Sequence, residues 1–296
     1  MIKNKSIGYK IFQVFLYILM TLMSLACILP VLHVAFASVS DPAWVMNQSG
    51  IILWPHGLNV EGYKMVFNTR SLMNSYGNTL FYVFTATALG LLITAMGAYP
   101  LSRKNVLFAN PIMLIISFTM LFNGGIIPFY MVVKGLGMYN TRASLIIPVC
   151  VSAFNLILVR TAMQGVPVSL EESAKLDGAT PMQILFQIIL PLIKPTLATV
   201  LMYYAIGHWN SWFQASIFLT DRSKFPLQLI LREVLITNDT SSATTSSSAE
   251  MAGMADLYKQ LIKYCTIMVS TVPVLCFYPF IMKYFKSGVM IGAIKG

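Results

Sequence analysis

The chain reads as an all-α membrane protein: six transmembrane helices, interrupted between the fourth and the fifth by a folded hydrophilic helix pair. Three observations predict this. First, 57% of the 296 residues are apolar and only 10% are charged, whereas soluble domains carry roughly 25% charged residues. Second, six stretches reach the roughly 20 mostly apolar residues that a bilayer-crossing helix needs: Ile11–Ala37, Gly77–Leu101, Phe108–Val133, Ser144–Met163, Pro195–Ile217 and Leu261–Phe285. Third, Val168–Pro195 (VSLEESAKLDGATPMQILFQIILPLIKP) is hydrophilic in its first half yet dense in helix start and stop signals.

Residues 1–10 form a basic arm carrying Lys3, Lys5 and Lys10. Ala35-Phe36-Ala37 resembles a signal-peptidase site, but the apolar run before it far exceeds the roughly 7–15 residues of a signal core. A retained first transmembrane helix is therefore expected, within a single transmembrane domain over residues 11–296. Basic residues in short segments beside the spans set orientation. The N-terminal arm and the tight Arg103-Lys104 turn place both termini in the cytoplasm, together with a loop at about 166–194 and a tail at 286–296.

Two long segments, about 38–76 and 218–260, then face outside. The first holds Trp44, Trp54, Pro55 and GLNVEGYKMVF, read as turns and a short amphipathic helix. The second holds Thr237–Ala249 (TNDTSSATTSSSA), a polar low-complexity run that cannot bury a core. It reads as a loop insertion rather than a docking element.

In the hydrophilic pair, Ser169 is expected to cap a first helix, with Glu172 completing a capping box. Gly178 ends that helix, since a left-handed position costs glycine nothing. Thr180 caps the second helix, with Pro181 at its first position and Gln183 as reciprocal partner. Ala174 and Ala179 are small enough for close approach, and Met182, Leu185 and Phe186 offer an apolar ridge for a partner's groove.

Several function classes are excluded by what the residues lack. The net charge of +10 would suggest nucleic acid in a soluble protein; here the bases flank membrane spans. From Ser169 to Gln187 a single base, Lys175, faces Glu171, Glu172 and Asp177, so DNA reading is excluded. All ten acids lie outside the six spans, which argues against proton or sodium coupling through mid-membrane carboxylates. His33 and His208 are the exceptions, and each is expected to hydrogen-bond a neighbouring helix. Cys27, Cys150, Cys265 and Cys276 sit in apolar runs and read as small fillers. No G-x-x-x-x-G-K-[ST] loop, Ser/His/Asp set or metal-spaced cluster occurs. The chain is expected to be no enzyme and to hold no cofactor or metal of its own, so energy for transport must come from a partner.

Glu172-Ser173-Ala174, Gly178, Ile188, Leu190 and Pro191 match the pattern E-A-A-x3-G-x9-I-x-L-P, with Ser in place of the first Ala. This resembles the cytoplasmic loop of permease subunits in binding-protein-dependent ABC importers. NSYGNTLFYV, AYPLSRK, GLGMYNT, IPVCVSAFNLILVR, HWNSW and GVMIGAIKG extend the likeness over nearly the whole chain. They are similar to the second, six-helix partner of maltose-type carbohydrate permeases, nearest the branch serving complex, often uronate-containing oligosaccharides.

The resemblance implies a type I importer permease fold and several partners: a homologous second permease subunit, two ATP-binding subunits that hold the ATP, an external sugar-binding protein, and the lipid of a bacterial inner membrane. It implies that the loop's first helix sits in a cleft of the ATPase, with Glu172, Ser173, Ala174, Asp177, Gly178, Ala179 and Met182 at the interface. The tail, with Gly292 and Lys295, either reaches toward the ATPase pair or frays. For the sugar path the expected residues are His208, Trp209, Asn210, Ser211, Trp212 and Gln214 on the outer half of the fifth span, with Asn123, Asn155, Tyr203 and Tyr204 secondary. Trp as interface anchor and Asn as helix glue are competing roles. The expected function is one half of an ATP-driven oligosaccharide importer's path. Importers of peptides or other solutes, and a secondary carrier or facilitator, are the alternatives.

Overall fold

The computed structural model describes residues 7–103, 105–240, 260–277 and 279, and among them every regular element is helical. By their own contacts they form two compact units, one drawn from residues 1–69 and 233–271, the other from 70–232 and 272–296.

The first unit holds α1 (Ile7–Val39), α2 (Pro42–Asn47) and α3 (Glu61–Asn68). Ala35-Phe36-Ala37 lies inside the continuous helix α1. Most large apolar side chains of α1 between Ile11 and Val31 are exposed on the chain, as suits a helix that meets lipid or another subunit. Asp41 caps α2, its Oδ1 accepting from the Ala43 and Trp44 amides at 2.9 and 3.2 Å. The amphipathic helix expected in this outer segment is α3. It is held by the Ser38–Tyr63 hydroxyl pair at 2.7 Å and by Gly62 packed on Leu261 and Cys265. His33 is hydrogen-bonded, but to loop backbone rather than a helix: its Nδ1 accepts from the Ile52 amide at 3.0 Å.

In the second unit the long helix α4 (Arg70–Leu101) is followed by α5 (Ala109–Leu121), α6 (Ile126–Gly135), α7 (Ala153–Gln164) and α8 (Val168–Leu176). Next come α9 (Pro181–Leu192), α10 (Lys194–Trp209) and α11 (Trp212–Phe218). Ile184–Ile189 within α9 is π-helical. Finally α12 (Leu227–Thr240) and α13 (Gln260–Phe277) run from one unit's residues into the other's. The core forms where α4, α7, α9 and α10 meet: Ala98, Val159, Met163, Ile184, Ile189 and Val200 are fully buried there.

Among the described residues three helices, α1, α4 and α13, are long and apolar enough to cross a membrane, and the count reaches six if each of the bent pairs α5–α6, α7–α8 and α9–α10 makes one span. The third, fourth and fifth expected spans are each interrupted rather than straight over the residues the hydropathy suggests. The third breaks at 122–125, bending 117° between α5 and α6; Asn123 Oδ1 accepts from the Gly125 amide at 2.9 Å and closes the turn. In the fourth, Pro148 has no N–H to give a helix, and helix resumes only where Ser152 caps α7. The fifth stops at Trp209, turns through Asn210-Ser211 and restarts as α11. Of the low-complexity run, residues 237–240 continue α12 and the rest lies outside the described residues, as does the end of the sixth span. Cys150 and Cys265 are buried as expected, whereas Cys27 and Cys276 are exposed on the chain.

At its first end, α4 organises the connection to α12. Asn78 donates to the Ser223 and Phe225 carbonyls at 2.7 and 3.2 Å and accepts from Arg142 at 3.1 Å. Tyr82 donates to the Lys224 carbonyl at 2.8 Å, and Thr79 Oγ1 accepts from the Leu227 amide at 2.7 Å.

Candidate functional site: a capped helix pair and a polar cavity

The hydrophilic pair folds as α8 and α9, but its first helix starts two residues earlier than the capping pattern implies. Pro167 (φ −57°) stands at the cap position and no side chain caps the helix. Proline supplies the helical entry φ without needing a hydrogen bond, so Ser169 and Glu172 fall inside the first turns and the expected Ser169–Glu172 box does not form. Glu172 is exposed and free of that duty.

The stop is as expected. Gly178 adopts φ +81°, its amide donates to the Lys175 carbonyl at 3.1 Å, and the Ala179 amide reaches the Ala174 carbonyl at 2.9 Å, which is a Schellman closure. The second start is as expected too: Gln183 N donates to Thr180 Oγ1 at 3.4 Å and Thr180 N to Gln183 Oε1 at 2.8 Å.

Helix periodicity sorts the expected interface residues. Glu172, Ser173, Asp177, Gly178 and Met182 are exposed, alongside Leu176, which is 90% exposed. Ala179 is half-buried. Ala174 faces the other way, packed with Ile184 and Leu185 in the chain's own core, so its smallness serves contact between α8 and α9. Leu185, expected on the outward ridge, is also buried; Met182 and Phe186 alone of that trio are exposed.

Glu171 shares the inward face of α8 with Ala174, three residues on, and is 3% exposed. It forms an ion pair with Arg103, just beyond the end of α4. The Arg103 guanidinium also lies over the Tyr99 ring, 5.2 Å from its centroid. Beside this pair, Arg160 of α7 donates through Nε to the Leu101 carbonyl at 2.8 Å, neutralising the negative end of α4. The sequence reading assigned Glu171 no role. No local pattern in the sequence marks it, because the inward side of α8 is set by its packing on the core.

Between the start of α7, α10 and α11 lies a cavity of about 350 Å³ lined by Ser152, Phe154, Asn155, Tyr203, Tyr204, His208, Ser211 and Gln214, among others. It gathers Asn155, Tyr203, Tyr204, His208, Ser211 and Gln214 from the expected path. Tyr204 Oη lies 2.7 Å from Thr94 Oγ1 and accepts from the Ser152 amide at 3.0 Å. His208 stacks on Tyr204 with centroids 6.2 Å apart; its Nε2 is buried and, among the described residues, has no hydrogen-bond partner. Aromatic faces beside amide, hydroxyl and imidazole groups are what a sugar's apolar face and hydroxyls require.

The other expected residues lie elsewhere. Trp209 sits about 100° further around α10 and lines a separate apolar groove of about 450 Å³ with Phe84, Thr87 and Leu201. Asn210 is exposed and returns its side chain to the Ile206 carbonyl at 3.1 Å. Trp212 lies under the Arg232 guanidinium, 3.9 Å from its ring centroid, and Asn123 closes the α5–α6 turn. Gly292 and Lys295 lie outside the described residues.

An all-helical chain with bent spans, a capped hydrophilic helix pair and a polar, aromatic-lined cavity defines a membrane-embedded solute-path subunit. The model of the family described as "Binding-protein-dependent transport system inner membrane component" matches residues 86–255, and the chain belongs to this family: it is a permease subunit of an ABC importer. It is 37% identical to the polygalacturonan/rhamnogalacturonan transport system permease protein YtcP of Bacillus subtilis, over 97% of this chain and 99% of the relative. It is 38% identical to protein LplC of the same organism, over 91% of this chain and 90% of the relative. Among solved structures it is similar to a chain from a bacterial ABC transporter involved in the import of the acidic polysaccharide alginate. There the TM-score is 0.85 at 32% identity, covering 95% of this chain and 99% of that one.

Proposed function

We propose that the chain forms one half of the translocation path of an ATP-driven importer for acidic, uronate-containing oligosaccharides. The observation that carries this reading is the cavity on α7 and α10, where Asn155, Tyr203, His208 and Gln214 converge. The cargo class is supported by relatives whose names specify polygalacturonan/rhamnogalacturonan and alginate.

Energy enters through α8 and α9. The exposed face with Glu172, Ser173, Leu176, Asp177 and Met182 docks on a cytoplasmic ATP-binding subunit, with Gly178 and Ala179 shaping the turn and Ala174 holding α8 against α9. Two such ATPases bind the ATP, a homologous second permease completes the path, and an external sugar-binding protein delivers the cargo. Both termini lie in the cytoplasm. In support, Arg103 and its ion-pair partner Glu171 put the basic turn after α4 and the helix pair at the same end. The tail with Gly292 and Lys295 reaches toward the ATPases.

Reconstitution of the chain in proteoliposomes with a second permease, the ATPase and the binding protein tests this. Labelled oligogalacturonate uptake that requires ATP and all four components is the expected result. Uptake that persists without ATPase would replace it with a facilitator, and uptake of peptides in preference to uronates would replace the cargo.

A further inference from the structure

We propose that Arg103 and Glu171 are positioning residues: a buried clasp that makes α8 and α4 move as one body, so that displacement of the docked helix reaches the cavity. This rests on the reading of α8 as the ATPase-docking helix.

The ion pair joins two elements whose far ends do different work. Glu171 is 3% exposed, and its side chain and that of Arg103 are 4% and 16% exposed. Separating such a pair strands a carboxylate away from water, which is strongly unfavourable. Helix α8 therefore cannot slide or rotate off the end of α4 without opening a costly gap. Little else ties α8 to α4: Ala174 packs with Ile184 and Leu185 of α9, and α8 follows α7 through only three residues, Gly165-Val166-Pro167. Arg160 reinforces the same corner by tying α7 to the Leu101 carbonyl. From this corner α4 runs to Thr94, whose hydroxyl is bonded to Tyr204 at the cavity. The load path is thus Glu171, Arg103, the turn at Ser102-Arg103 held to α4 by amide bonds to the Ala98 and Pro100 carbonyls at 2.9 and 3.1 Å, α4 itself, Thr94 and Tyr204.

Stability alone would not require this chemistry. Replacing a buried ion pair by apolar side chains of similar volume is often neutral or stabilising for folding. The double variant R103M/E171L therefore separates a clasp from a mere folding element. In the reconstituted importer, with wild-type ATP-driven uptake established first, the readout is sugar imported per ATP hydrolysed. For R103M/E171L this ratio falls at least tenfold while the thermal midpoint and co-purification of the ATPase stay at wild-type level. The charge-swapped R103E/E171R recovers more of the ratio than either R103E or E171R alone. A wild-type ratio in R103M/E171L overturns the proposal, as does a double variant that fails to assemble, since the pair would then act in folding. Absence of ATP-driven uptake in the wild-type complex would instead count against the importer reading itself.

Discussion

Tyr204 Oη bridges two elements at once, 2.7 Å from Thr94 Oγ1 on α4 and 3.0 Å from the Ser152 amide that begins α7. One hydroxyl thus fixes α10 against both helices beside the cavity. In Tyr204→Phe the buried Thr94 hydroxyl and the part-buried Ser152 amide lose their partner, an effect of about 1–3 kcal/mol. A lowered thermal midpoint in detergent, with uptake reduced more than ATP hydrolysis, is expected. An unchanged midpoint would show that the hydroxyl holds nothing.

Gly90 permits that close packing. A Cβ there would lie 2.5 Å from the Cys150 carbonyl oxygen and 3.3 Å from the Tyr204 ring. Because the nearest atom is backbone, α4 and the segment before α7 must separate. Gly90→Ala is expected to lose about 1–3 kcal/mol of stability through overpacking. Equilibrium unfolding in mild denaturant checks this, and a neutral result would mean the seam is looser than described.

Gly178 holds φ +81° with open space around it, so only backbone strain opposes a side chain. The left-handed region disfavours ordinary residues by about 1–2 kcal/mol, and β-branched ones more. Gly178→Val is expected to disrupt the α8–α9 turn and uncouple uptake from ATP hydrolysis while membrane insertion continues. Glu172→Lys, which leaves the backbone alone, is expected to weaken ATPase co-purification. Full transport by both variants would remove this helix pair from the coupling role.

Asp221 caps the short turn at Arg222–Lys224. Hydrogen bonds from the Ser223 hydroxyl and amide, then from Lys224, hold its carboxyl down from 3.8 to about 2. A depressed carboxylate stabilises the fold fully above its ordinary pKa and loses that contribution as pH falls through the folded value. The turn is therefore expected to stay intact from neutrality to about pH 4 and to loosen only near pH 2. A carbon-13 titration of labelled aspartate, with Asp221→Asn identifying the resonance, checks it. A midpoint at or above 3.8 would show that the cap is absent in solution.

Asn78 ties the start of α4 to the segment leading into α12 through three hydrogen bonds. In Asn78→Ala two carbonyls and Arg142 lose a partner, with an expected loss of about 1–3 kcal/mol. Limited proteolysis between residues 219 and 227 is expected to speed up. An unaltered cleavage rate would show the tether to be redundant.

Sequence by itself determined the all-helical membrane class, the hydrophilic helix pair, the Gly178 stop and the Thr180–Gln183 start. These follow from composition and from interactions within a few residues along the chain, and local pattern carries them in full. It also named Asn155, Tyr203, His208 and Gln214. Tertiary structure alone decided which of the aromatic and amide residues share a cavity. His208 and Trp209 are neighbours in sequence but diverge around a helix, and backbone breaks at Pro148, Asn123 and Asn210 redirect what hydropathy reads as straight spans. It alone decided, too, that Glu171 turns inward to Arg103 while Glu172 stays free, because a cap depends on where Pro167 lets the helix begin. The partners of that ion pair lie 68 residues apart (171 minus 103), and only the tertiary fold brings the turn after α4 to the inward face of α8.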